Sequence, residues 1–118
     1  MTTAEPAEVA ACRAHYARGE KPDRATEKAA VKATLAELSA RAPGHSVEVR
    51  VPPYAAVQVV AGVRHRRGTP PALVQLDAAT LLRLATGDLM WADAAADGSV
   101  RASGERSDLS GYFPLFAS

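Results

Sequence analysis

The chain has 118 residues, 47% of them hydrophobic and 23% charged, with a formal net charge of +1. That length accommodates one domain with one core, not two, and near-neutrality removes any overall electrostatic pull toward nucleic acid or an anionic membrane. Cys12 is the sole cysteine, which excludes an internal disulfide and a cysteine-based zinc site.

The opening "MTTAEPAEVAACRAH" has neither the basic start nor the continuous apolar stretch of a secretory leader. No segment approaches the roughly 20 apolar residues of a membrane span. The expectation is a reduced, soluble, cytoplasmic protein with no stable membrane insertion. Val9, Cys12 and Tyr16 recur at helical spacing and predict a helix over 5–18, stopped by Gly19. A second, stronger helix is predicted over 24–42, with Val31, Leu35, Leu38 and Ala42 as its apolar stripe and Asp23 as its cap; Pro43-Gly44 ends it.

The period then changes to two. "HSVEVRV" (45–51) sets Val47, Val49 and Val51 on one face and Glu48 and Arg50 on the other. A second strand is predicted over 55–62 and a third over 72–77, separated by the basic loop "VRHRRGTPP". Asp77 reads as the N-cap of a helix that Gly87 terminates. A short helix over about 90–97 ends at Gly98, and a fourth strand over 99–103 closes at Gly104. "SDLSGYFPLF" (107–116) reads as a short helix or an apolar tail. Helices, three strands, helices and a strand make an α+β domain. Each strand has one apolar face, so the predicted sheet is covered by helices on one side and open on the other.

The run from Asp77 to Gly104 resembles the sterol carrier protein type 2 family, in its small bacterial single-domain form. Ala85, Gly87, Leu89, Ala94, Gly98, Val100, Ala102 and Gly104 stand at the family's spacing, and a looser similarity runs from about residue 24 onward. The resemblance implies one sterol-carrier-like domain over 1–118, with 1–23 as an N-terminal helical extension. It implies a mainly antiparallel sheet of four to five strands with helices packed on one face, and an apolar cavity between them. The chain departs from larger members at Ala95 and Ala96, at Met90-Trp91, and in a last segment broken by Gly111 and Pro114. All three departures bear on the size of that cavity.

If Val57, Val59, Val74, Leu76, Leu81, Leu84, Trp91 and Phe113 enclose such a space, a fatty acyl chain fits it. At roughly 0.8 kcal/mol per buried methylene, about ten methylenes support micromolar binding after association costs; the competing reading is a filled core. Arg64, Arg66 and Arg67 in the basic loop offer planar forks to a carboxylate or phosphate head group, against the plainer reading of a solvated turn. Glu48, Arg50, Gln58, Gln75 and Arg101 share the polar sheet face. His15, His45 and His65 are scattered, no nucleophile elbow or phosphate loop is present, and Cys12 lies on an apolar stripe, so no catalytic residues, metal or cofactor are predicted. The function that follows is non-catalytic binding or carriage of a lipid-like molecule, without nucleic acid. The alternative is an interaction or dimerisation module with a closed core, whose partner is a second copy or another protein reached through the polar sheet face or the Tyr112–Phe116 segment.

Overall fold

A computed structural model describes residues 2–62 and 72–117. The chain runs β1 (Thr3–Ala4), α1 (Ala7–Ala17), α2 (Arg24–Arg41), β2 (Val47–Val51), β3 (Ala55–Val59), β4 (Ala72–Leu76), α3 (Ala78–Thr86), α4 (Trp91–Ala96), β5 (Val100–Ser103), a 3-10 turn (Ser110–Tyr112) and β6 (Phe116–Ala117). The α+β class is as predicted. The main sheet has the order β3–β2–β4–β5. Its β2–β3 and β4–β5 pairs are antiparallel and its β2–β4 pair is parallel, so the sheet is mixed.

Alternation sets the two faces. Val47, Val49, Val51, Val59, Val74, Leu76 and Val100 are buried, and the register aligns Val57, Val49, Val74 and Ala102 in one cross-strand row. Helix α2 covers β3, α4 covers β5, and α1 packs on both α2 and α3. Buried positions on α2 are Glu27, Ala30, Val31, Thr34, Leu35 and Leu38, which recur every three or four residues. Asp23 caps α2, accepting from Thr26 N at 2.8 Å, and Asp77 caps α3, accepting from Thr80 N at 2.8 Å. Gly87 ends α3 at φ +83°, a conformation open to glycine at little cost.

Strand β3 stops at Val59, three residues before the predicted end, because Val60 turns out of the extended region at φ +69°. Its peptide groups serve a junction instead. Val60 N donates to Ala42 O at 2.7 Å, and Val60 O accepts from Ser46 N and Ser46 Oγ at 3.1 and 2.7 Å. Gly44, at φ +147°, passes so close that a Cβ there would lie 2.1 Å from Val60 O. The end of α2 and the start of β2 are thus bound to the end of β3.

The last segment is neither a free tail nor mainly helical. After its 3-10 turn, β6 pairs in parallel with β1, Thr3 opposite Phe116. Leu115 N donates to Ala85 O at 2.8 Å, and Arg41 Nη2 donates to Leu115 O at 2.7 Å. Leu115 and Phe116 are buried. Two-residue strands carry no readable alternation, so this pairing had no signal in the sequence.

Candidate functional site

The predicted apolar lining falls into two groups. Val59, Leu81 and Leu84 are 0% exposed, and Val74 and Leu76 1% and 4%. A side chain with no surface that water can touch borders no water-sized void, so Val59, Leu81 and Leu84 fill the core in this conformation. Val57, Trp91 and Phe113 are half-buried at its margin. Trp91 and Phe113 stack with centroids 6.0 Å apart and planes 19° from parallel. Beside them Met90 is 65% exposed. Leu76 also borders a surface cleft of about 280 Å³ with Pro52, Gln75 and Arg101.

Arg64, Arg66 and Arg67 lie outside the described residues. On the polar sheet face the register aligns Arg50, Gln75 and Arg101 in one row, with Gln75 between the two arginines. Two strand spacings separate the arginine backbones, about 9–10 Å, and the Arg50 guanidinium is engaged by Glu48 on its own strand. Tyr112 and Phe113 are half-buried against their own core, so much of the apolar segment that suggested a docking tail is covered by this chain.

The most concentrated polar chemistry lies elsewhere. Glu27, in the first turn of α2, is 5% exposed. Its Oε2 accepts from Tyr16 Oη on α1 at 2.6 Å, and its Oε1 from Tyr54 Oη, between β2 and β3, at 2.7 Å. Among the described residues no lysine or arginine forms an ion pair with it. Burying a carboxylate is costly; two charge-assisted hydrogen bonds and the positive end of α2 offset that cost.

The phenols respond to this carboxylate. Burial, and then the hydrogen bond to Glu27, push Tyr16 well above the usual tyrosine range. The hydrogen bond to Glu27, and then burial, raise Tyr54. Both stay protonated as donors at neutral pH. Cys12, one turn before Tyr16 and fully buried, is pushed up to about 11 by burial and then by the charge of Glu27, which removes it as a nucleophile near pH 7.

Glu27 forms part of a cleft of about 400 Å³ that Tyr16, Arg24, Pro52, Pro53, Tyr54, Asp77 and Ala78 also line. The Arg24 guanidinium sits over the Tyr54 ring, 5.7 Å from its centroid. The sequence held a signal for this site. Extending the Val31, Leu35, Leu38 stripe back by one turn reaches Glu27, a charge on the buried face, and the α1 stripe ends in Tyr16. Tyr54, inside the Pro-Pro turn, had no such signal. Among the described residues no three metal-ligating side chains converge, and no helix is long and apolar enough to cross a membrane.

A family model described as bacterial SCP ortholog matches residues 23–115. No curated protein matches the chain. The match spans the main sheet and helices α2 to α4 and leaves α1, with Tyr16, outside it. Together with the mixed sheet and its helical cover, it shows that the chain belongs to the bacterial sterol carrier protein-like family.

Proposed function

We propose that this chain binds an apolar or amphipathic small molecule non-covalently and carries it without chemical change. The observation that carries the proposal is the family match over residues 23–115. A sheet with one apolar face under helices supports it, because separating the two layers would expose a continuous greasy surface. The tail would enter at Trp91 and Phe113, half-buried near the β5 edge, and run toward Val57 on β3 at the opposite edge. It would then be lined by Val59, Val74, Leu76, Leu81 and Leu84, with Arg64, Arg66 or Arg67 meeting the head group. Since Val59, Leu81 and Leu84 are closed off, binding includes an opening step, and apparent affinity falls by the fraction of chains that are open. Native mass spectrometry of the full chain, purified without detergent and then mixed with a long-chain fatty acid, tests this. A one-to-one adduct that survives desalting is expected. Bare protein at every ligand concentration would count against carriage.

A further inference from the structure

We propose that the cleft over Glu27 binds an alkylammonium group, independently of any apolar ligand held between helices and sheet. At about 400 Å³ it is large enough for a small head group. Glu27 is a buried carboxylate with no ion pair among the described residues, and each of its oxygens has accepted one phenolic hydrogen. A carboxylate oxygen carries two lone pairs, so acceptor capacity remains. A protonated amine supplies both the missing positive charge and the N–H donors to use it.

The Tyr54 face already shows this preference. A cation is favoured over an electron-rich ring, and this chain places its own Arg24 guanidinium there at 5.7 Å. An ammonium entering the cleft would share or take that position, with its alkyl part against Pro52 and Pro53.

An anion fits less well. The helix N-termini at the cleft are those of α2 and α3, and their amides are met by carboxylates of the chain itself. Thr26 N donates to Asp23 Oδ1 and Thr80 N to Asp77 Oδ1, both at 2.8 Å. Of the three lining carboxylates, Glu20 is already paired with Arg18 at 2.8 Å, so Glu27 and Asp77 are the ones left to face Lys21 and Arg24, and Glu27 has no ion pair among the described residues.

The test is titration of the full chain with n-butylammonium chloride at pH 7, followed by amide NMR, with sodium butyrate and sodium chloride at equal ionic strength as references. Saturable shifts confined to residues around Glu27, Tyr54 and Ala78 are expected with butylammonium alone. Glu27→Gln keeps an acceptor for the phenols but removes the charge, and should weaken binding at least tenfold. Asp77→Asn keeps a helix cap and should weaken it several-fold. Arg24→Ala frees the Tyr54 face and should tighten it. The last two variants decide the matter if Glu27→Gln does not fold. A parallel arm with vesicles of phosphatidylethanolamine, against phosphatidylcholine alone, separates a lipid head group from a free amine as the source of the ammonium. Unsaturable shifts, equal shifts with butyrate, or affinities unchanged across the variants would overturn the proposal and leave Glu27 as a purely structural tie.

Discussion

Arg13 on α1 grips both carboxylate oxygens of Asp88 beyond the end of α3, Nε to Oδ2 at 2.8 Å and Nη2 to Oδ1 at 2.9 Å. The same guanidinium reaches Glu5 through Nη1 at 2.8 Å. Its hydrogen bond, and its charge, hold the Asp88 carboxyl below the usual carboxylate range. A lowered folded value means that the stabilisation is complete above the unfolded value near pH 4 and is lost as pH falls through the folded value. Asp88 is 41% exposed on its side chain, so solvent screening limits the pair to about 0.5–1 kcal/mol. Asp88→Asn should lower stability by that amount at pH 7 and flatten the pH dependence below about 4. Urea unfolding at several pH values measures both.

Tyr16→Phe removes one of the two donors to a buried carboxylate. The expected loss is about 1–3 kcal/mol, in the range for hydrogen bonds to charged groups. Because the folded phenol titrates above the unfolded one, its contribution is fully present below about pH 10 and is lost as pH rises further. The wild-type chain should therefore lose stability in alkaline solution more steeply than the Phe variant, as read by thermal unfolding at stepped pH.

Cys12 is fully buried and its thiol is pushed up to about 11. An aromatic disulfide reagent at pH 8 should label the native chain only as fast as α1 opens and the urea-unfolded chain at once. Equal labelling rates in the two states would show that α1 does not cover this site.

Gly44→Ala places a methyl group 2.1 Å from Val60 O in a backbone conformation, φ +147°, that side chains disfavour. Relief requires parting the α2–β2–β3 junction. We expect a loss of more than about 2 kcal/mol, measured by chemical denaturation. Gly19→Ala, which meets no atom within 4 Å, is the control and should cost less.

Much of the fold was legible because its signals are local. The Asp77 cap, the Gly87 stop and the alternating Val47, Val49, Val51 face each depend on residues a few positions apart, and the structure has all three. What was not legible is long-range. Nothing local tells β4 to pair with β2 rather than β3, or Phe116 to pair beside Thr3. The premature end of β3 depends on contacts of Val60 with Ala42 and Ser46. The tie between Glu27, Tyr16 and Tyr54 joins three elements across 11 and 27 residues. Its traces in the sequence were a glutamate in phase with the α2 apolar stripe and a tyrosine at the end of the α1 stripe. Val57, Val59, Val74, Leu76, Leu81, Leu84, Trp91 and Phe113 are buried in the core or packed against it, but pattern alone does not separate a filled layer from an open one.

Trp91 is the only tryptophan and is half-buried against Phe113, so its emission reports directly on whether an apolar tail enters between helices and sheet. Titration of the full chain with a long-chain fatty acid should give a saturable shift of Trp91 emission with a midpoint in the roughly micromolar range, set by about ten buried methylenes at ~0.8 kcal/mol each less association costs. Emission that stays constant up to the solubility limit of the fatty acid would contradict carriage of such a ligand by this chain.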